Sequence, residues 1–146
     1  MTMSHAFDEC LQRGKITKFS PGPRLAAKEL RAAKMDLETA LKSVSERNYK
    51  WGIIQSYYSM FHSARALIYS RGYREKSHFC LIEAVRTLFV ETKEVNVTLV
   101  EALLEAKQLR ESADYYGDFS DTNCTKLTGK ATNFLTTTEK ILSQKI

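Results

Sequence analysis

The chain has 146 residues and a mass of 16.7 kDa, which corresponds to about one domain. Hydrophobic residues make up 43% of it and charged residues 27%, a globular composition that excludes collagen-like and Pro/Gly-rich disordered chains. Lys and Arg number 22 against 17 Asp and Glu, and the resulting net charge of +5 is compatible with RNA, DNA or an acidic protein partner without selecting among them.

Residues 1–20 combine mixed charge with weak periodicity, and we predict that they form an N-terminal extension. It is expected to hold a short helix over residues 7–11 and then an extended lead-in, whose basic stretch, residues 14–18, packs outside the main domain. The Ser-Pro-Gly-Pro sequence at residues 20–23 predicts the start of a helical domain that occupies residues 21–146. No stretch suits a membrane span or a secretory signal peptide, so no membrane association is predicted.

The apolar spacing in the main domain is that of amphipathic helices. It predicts helices that begin near residue 23 and extend over about residues 49–70, 78–92, 97–116 and 121–144. The second of them is apolar on two adjacent faces and is expected to be the central one. Asn48, Ser77 and Asn96 are candidate N-caps, Gly72 is a candidate C-cap, and residues 71–76 are expected to form a basic loop. Short connections and the absence of period-two alternation predict an all-α, up-and-down bundle of about five antiparallel helices.

The three cysteines are Cys10, Cys80 and Cys124. Their odd number, long spacings and lack of a Cys-x-x-Cys sequence predict neither a disulfide framework nor a zinc site. Cys80 lies in an apolar run and is expected to be a small core residue. This cysteine usage predicts a cytoplasmic protein.

Three groups of polar residues stand out from the helical patterns. Tyr58, His62 and Arg65 follow one another at spacings of four and three and share a helix face. His78 ends the Lys-Ser-His sequence at a predicted helix start, where an anion such as phosphate is favoured. Arg110 lies four residues before an aspartate and can pair with it. Each group also has a purely structural interpretation. The tyrosine and histidine of the first group are also typical of a core aromatic residue and of a satisfied or exposed helix histidine. His78 is also typical of a first-turn residue, and Arg110 of an ion pair that orders a helix end.

The histidines show no metal-ligand spacing, and the chain has no glycine-rich phosphate loop. The sequence therefore predicts neither a metal site nor a cofactor.

Residues 51–65, Trp-Gly-Ile-Ile-Gln-Ser-Tyr-Tyr-Ser-Met-Phe-His-Ser-Ala-Arg, resemble the central helix of the HEPN family (higher eukaryotes and prokaryotes nucleotide-binding). They are followed at a family-like distance by Lys-Ser-His at residues 76–78 and by Arg-x-x-Ala-Asp-Tyr at residues 110–115. The similarity covers about residues 25–142, and residues 7–19 are similar to the extension of archaeal members.

This resemblance implies a helical bundle that pairs as a homodimer and is encoded beside a minimal nucleotidyltransferase, often as toxin and antitoxin. Active toxins of the family are metal-independent ribonucleases built around Arg-x(4–6)-His, with both copies meeting across the dimer. Here Arg110 has no histidine four to six residues further on. Arg71 and His78 fit Arg-x6-His formally. The other arrangement that we expect to be possible places His78, at the start of the third helix, opposite Arg110, near the end of the fourth.

The resemblance also implies roles for these side chains in RNA cleavage. His78 would act as general base or acid, and Arg110 would stabilise the charge that develops on the phosphate. Asp114 would hold Arg110, and Tyr115 would donate a hydrogen bond to a phosphate oxygen. The residues expected to bind substrate are Tyr58, His62, Arg65, Arg74 and Lys76.

Two hypotheses follow from the sequence. In the first, the chain acts with a nucleotidyltransferase partner, either as a ribonuclease toxin or as a nucleotide- or RNA-binding subunit. In the second, it is a non-catalytic helical module that binds a protein partner through an apolar helix face. The broad apolar surface of the second helix also predicts a homodimer.

Overall fold

The computed structural model describes residues 5–144, so the outer limits of the two predicted domains, residues 1 and 146, lie outside it. Its elements, in chain order, are α1 (His5–Gln12), β1 (Ile16–Lys18), α2 (Gly22–Ser45), α3 (Tyr49–Ser70), β2 (Tyr73–Glu75), α4 (His78–Val85), α5 (Val97–Tyr116) and α6 (Asp121–Ser143). A π-helical turn, Arg86–Val90, prolongs α4. The prediction of an all-α bundle is confirmed. In this part of the chain no helix is both long and apolar enough to span a membrane.

Helix α3 is the centre of the bundle, as its two apolar faces predict, and it packs against α2, α5 and α6. Small side chains let its neighbours approach closely. Ser59 is fully buried and donates a 2.8 Å hydrogen bond to the carbonyl oxygen of Ala33 on α2. Ser56 is also fully buried and shares a 3.1 Å hydrogen bond with Thr128 on α6. These hydroxyls therefore enter the core with partners, which avoids the cost of burying an unpaired polar group.

The predicted caps hold at two of the three helix starts. The Ser77 hydroxyl accepts a hydrogen bond from the backbone N–H of Cys80 at 3.1 Å, and the Asn96 side chain accepts one from Thr98 at 2.9 Å. The prediction for Asn48 is wrong, because its side chain makes no capping hydrogen bond. The third predicted helix is also shorter in its α-helical form, since the regular turns of α4 give way to the π-helical turn after Val85.

The expected basic loop of residues 71–76 is not a loop throughout, because β2 lies within it. Strand β2 pairs antiparallel with β1, with Ile16 opposite Glu75 and Thr17 opposite Arg74. The backbone N–H of Lys76 extends the pairing by donating to the carbonyl oxygen of Lys15 at 2.8 Å. Each strand has only three residues, too few to produce the alternating pattern by which strands are recognised in a sequence.

The prediction that the cysteines form no disulfide is wrong. Cys10 on α1 and Cys80 on α4 are joined, with their Cα atoms 5.8 Å apart, whereas Cys124 is free and buried. The pairing of β1 with β2 and the packing of α1 on α4 bring together two cysteines that are 70 residues apart. Phe7 of α1 is fully buried in the same core. Residues 5–18 are therefore joined to the bundle by a covalent bond, a strand pair and an apolar contact.

Candidate active site

Two consecutive tyrosines of α3, Tyr57 and Tyr58, organise the polar cluster at the centre of the candidate site. The Tyr57 hydroxyl and Nδ1 of His78 share a hydrogen bond of 2.6 Å. Tyr57 is 1% exposed, so its ring is fixed by the core. The His78 ring also lies 4.8 Å from the ring of Phe61, measured between centroids. The first residue of α4 is thus held against the buried face of α3.

Arg110 reaches the same tyrosine pair from α5. Its Nη2 donates to the Tyr58 hydroxyl at 3.1 Å, and its Nη1 donates to the Tyr115 hydroxyl at 3.1 Å. The guanidinium lies 5.9 Å from the Tyr57 ring centroid and 3.5 Å from the Asp114 carboxylate. His78 and Arg110 therefore both contact Tyr57, and the start of α4 meets the last turns of α5, which is the arrangement that antiparallel helices make possible.

Arg110 retains hydrogen-bonding capacity in this arrangement. Its side chain is 15% exposed, and its buried Nε finds no partner among the described residues. A buried N–H without an acceptor is costly, and such exceptions are frequent at functional sites. The guanidinium is thus oriented by Tyr58, Tyr115 and Asp114 but is not saturated by them.

The electrostatic surroundings keep the imidazole neutral. Burial lowers the pKa of His78, and the positive charges of Lys107 and Arg110 lower it further, against the opposing effect of Glu75. Burial raises the pKa of Tyr57 well above its ordinary value, with a further contribution from Tyr58. At neutral pH the pair is therefore a neutral imidazole bonded to a neutral phenol.

Sequence reasoning did not select Tyr57 or Lys107. Tyr57 was expected to be a core aromatic residue, which its burial matches, but its hydroxyl faces His78. Lys107 lies one helical turn before Arg110, and its Nζ is 2.7 Å from the Glu111 carboxylate. The spacing of three between the two cations places them on one face of α5, and this spacing was the available signal.

His62 and Arg65 do not join the cluster around His78. Nδ1 of His62 is 2.8 Å from Oε1 of Glu29. Nη2 of Arg65 is 2.6 Å from the carboxylate of Glu75, whose side chain is only 4% exposed. These contacts link α3 to α2 and β2. Of the three residues predicted to share a substrate-binding face, Tyr58 is the one that contacts Arg110, through its hydroxyl.

The remaining predicted site residues are exposed side chains just before the start of α4 or at the end of α5. Arg74 and Lys76 are exposed, and Arg74 lies over the ring of Phe19 at 5.1 Å. Tyr115 is 63% exposed beyond the guanidinium that it contacts. Arg71 instead binds Glu94 and the carbonyl oxygen of Leu88, beyond the C-terminal end of α4, whereas His78 is its first residue. The formal Arg-x6-His pattern is therefore not assembled in this chain.

No group of three or more His, Cys, Asp or Glu side chains within residues 5–144 is placed to hold a metal ion. The chemistry available at the cluster is that of a neutral imidazole, an arginine with spare donors and three phenol hydroxyls. Such a set can exchange a proton and stabilise an anion.

Comparison with known proteins identifies the family of this chain. A protein from Methanocaldococcus jannaschii named "Putative toxin MJ0142" is 28% identical over 120 residues, which span 81% of this chain and 82% of that protein. The family model described as "HEPN domain" matches residues 26–143, which include α3, α4 and α5 with His78 and Arg110. That match covers most of the chain, and this protein belongs to the HEPN family.

Proposed function

We propose that the protein is a metal-independent ribonuclease that acts as a toxin. The observation that carries the proposal is the convergence of His78 and Arg110 on Tyr57 and Tyr58. Membership of the HEPN family and similarity to a protein named as a toxin support it. The partner that we propose is a minimal nucleotidyltransferase acting as antitoxin, because HEPN proteins are often encoded beside one.

The proposed reaction is an attack of a ribose 2′-hydroxyl on the adjacent phosphate. In the tautomer with a proton on Nδ1, His78 donates a hydrogen bond from Nδ1 to the Tyr57 oxygen, and Nε2 carries the free lone pair. Nε2 then takes the proton of the 2′-hydroxyl as a general base. The new P–O2′ bond forms as the P–O5′ bond breaks. The leaving 5′-oxygen takes a proton from solvent, which gives a 2′,3′-cyclic phosphate and a free 5′-hydroxyl.

Arg110 stabilises the extra negative charge that the phosphate carries in this transition state. Its position is set by Tyr58 and by the Asp114 carboxylate, and the exposed Tyr115 hydroxyl is available to a phosphate oxygen. The lowered pKa of His78 suits a base at neutral pH, because the imidazole is already deprotonated. Cleavage therefore rises with pH through an inflection below 6.5, the ordinary pKa of histidine.

A cleavage assay with the purified protein in excess EDTA tests the proposal. His78→Ala and Arg110→Ala should each lower the rate by about 100-fold or more, since a positioned acid–base group contributes roughly 10²–10⁴-fold. Arg31→Ala is a matched control for Arg110→Ala, because Arg31 is an exposed arginine on α2, outside the three helices that form the cluster. Circular dichroism establishes that each variant is folded. Unchanged cleavage by both site variants would refute the enzymatic role.

Expression in cells tests the two-gene system. Growth should be inhibited by the native chain, restored by co-expression of the neighbouring nucleotidyltransferase and unaffected by the His78→Ala variant. We also propose a homodimer. The apolar faces of α3 are covered by helices of the same chain, so this proposal rests on membership of the HEPN family. Sedimentation at micromolar concentration tests it. A monomer under those conditions would contradict it.

The alternative, a non-catalytic module that binds a protein partner, is favoured by exposed aromatic residues at the end of α5. Tyr116 is 82% exposed and Phe119 is 44% exposed. Salt dependence separates the two functions. Binding to RNA phosphates weakens steeply as salt rises, whereas contact through aromatic surface does not.

A further inference from the structure

A basic surface lies beside His78 and is formed by two segments that are distant in the sequence. Its exposed cations are Arg13, Lys15, Lys18, Arg74 and Lys76, and we call it the ribbon surface. The first three come from residues 10–28, a stretch with five Lys or Arg residues and no Asp or Glu. The other two come from β2 and the residue that follows it, immediately before His78.

The pairing of β1 with β2 brings Lys15, Arg74 and Lys76 to one face of the ribbon, whereas Lys18, opposite Tyr73, lies on its other face. Arg74 lies opposite Thr17, and the backbone of Lys76 is bonded to that of Lys15. Within residues 5–144 none of the five cations lies within 4.0 Å of a carboxylate. Glu75, the acid on the paired strands, is buried and bonded to Arg65. The cations of the ribbon surface are therefore not neutralised by ion pairs within the described residues.

An aromatic side chain stands beside this charge. Phe79 is 60% exposed and lines a hollow of about 170 Å³ together with Arg13, Lys15 and Ser77. The acid in the hollow is Glu9, which also lies 4.0 Å from His5. An exposed phenylalanine next to unpaired cations is the combination with which proteins bind single-stranded nucleic acid, because bases stack on the ring while cations hold the phosphates.

We propose that the ribbon surface and Phe79 bind the single-stranded RNA next to the bond that His78 and Arg110 cleave. This inference rests on the proposed function and adds to it the form of the RNA and the residues that hold it. Arg13, Lys15 and Lys76 bind successive phosphates, and one unpaired base stacks on Phe79. A duplex offers no free base face at such a site, so single strands are preferred over duplexes.

The α1–β1 segment supplies part of this surface from outside the region that matches the family. The match begins at residue 26, whereas Arg13, Lys15 and Lys18 precede it. The Cys10–Cys80 disulfide fixes this segment to α4 two residues beyond His78. The segment thus adds contacts to RNA that the matched region does not contain.

Binding is measured by fluorescence anisotropy with a labelled single-stranded RNA, using protein that carries His78→Ala so that the RNA is not cleaved. Each phosphate contact contributes about 0.7 to the slope of log affinity against log salt for single strands. Arg13→Ala with Lys15→Ala should reduce the magnitude of that slope by about 1.4, which weakens binding about 25-fold at 0.1 M salt. Phe79→Ala should weaken it about fivefold or more, and Phe79→Trp should retain it, because a tryptophan ring also stacks with a base.

The matched control is Arg31→Ala with Lys42→Ala, which also removes two exposed cations. Both lie on α2, and Lys42 is about 30 Å along that helix from Gly22. Equal weakening by the two double variants would overturn the proposal, because only net charge would matter. Unchanged binding by Phe79→Ala, or duplex RNA bound as tightly as single strands, would also overturn it.

These outcomes are separate from those of the proposed function. If His78→Ala and Arg110→Ala cleave normally while the ribbon variants bind poorly, the catalytic assignment fails and the RNA-binding surface stands. If cleavage requires His78 but the ribbon variants bind and cleave as the native protein does, the ribbon surface fails and the catalytic assignment stands. Absence of RNA binding by the folded protein would overturn both.

Discussion

Breaking the Cys10–Cys80 disulfide measures how strongly the N-terminal segment is held to the bundle. The two cysteines are 70 residues apart, and closing a loop of that length removes conformational entropy from the unfolded chain worth about 4 kcal/mol in the chain-entropy model. We therefore expect Cys10→Ser with Cys80→Ser to lower the free energy of unfolding by about 4 kcal/mol. That loss is a large share of the roughly 5–15 kcal/mol available to a domain.

The loss of stability should be largest in the segment that the disulfide attaches to the bundle, residues 5–18. Helix α1 has 8 residues, fewer than the roughly 12–15 that an isolated helix needs for marginal stability. Burial of Phe7 contributes only about 1.5–3 kcal/mol to keeping it docked. Amide hydrogen exchange in residues 5–18 should therefore accelerate more in the double variant than exchange in α3.

Urea unfolding with and without a thiol reductant provides the assay. Reduction should lower the free energy of unfolding of the native protein. It should leave the free energy of unfolding of the double serine variant unchanged. Peptide mapping without reductant establishes that the bond is present at the start. An unfolding free energy that is unchanged when mapping shows both thiols free would refute the reasoning. Equal exchange rates in residues 5–18 before and after reduction would refute its local part.

Two further predictions concern charged groups. Arg65→Ala leaves the carboxylate of Glu75 buried without its cation and should destabilise the fold by about 3 kcal/mol or more, and adding Glu75→Gln should recover part of the loss in urea unfolding. The lowered pKa of His78 means that the unfolded chain binds more protons as pH falls, so its contribution to stability is present above pH 6.5 and is lost as pH falls through the folded-state pKa. Unfolding measured from pH 7 to pH 5 should show a smaller decline for His78→Gln, and an equal decline would contradict the assignment.

The long helices could be predicted because their signals are local. The two-sided apolar pattern of α3 follows from residues 49–70 alone, and that helix has the predicted bounds. Ser77 and Asn96 cap helices because a hydroxyl or amide oxygen reaches an N–H two or three residues ahead. Asn48 has the same side-chain chemistry, but its backbone torsions of −94° and 72° accompany a side chain that does not cap.

The ribbon and the disulfide could not be predicted in this way, because both depend on distant segments meeting. Three-residue strands carry no periodic signal, and Ile16 has its partner at Glu75. Cys10 and Cys80 show no spacing that indicates a bond, and only the docking of α1 on α4 brings them together. An odd cysteine count excludes full pairing but says nothing about a single pair.

The candidate site was partly predictable for the same reason. Antiparallel helices bring the start of α4 to the end of α5, so the proximity of His78 and Arg110 follows from the order of the elements. Helix periodicity places Tyr58, His62 and Arg65 along one side of α3. It does not reveal which side chains of other elements bind them. Glu29 on α2 and Glu75 on β2 engage the latter two, and no local pattern identifies those partners.

Under our proposals, catalysis and RNA binding are carried by two different parts of the chain. His78 and Arg110 are oriented by hydroxyls of α3, the most buried helix, so their geometry is set by the core. The cations of the ribbon surface are exposed, so we expect their removal to leave the core unchanged. Under our proposals, changes at His78 or Arg110 act on the transition state and lower kcat. Arg13 and Lys15 are proposed to hold the RNA equally in the ground state and in the transition state. Changes at these residues should therefore raise KM and leave kcat nearly constant.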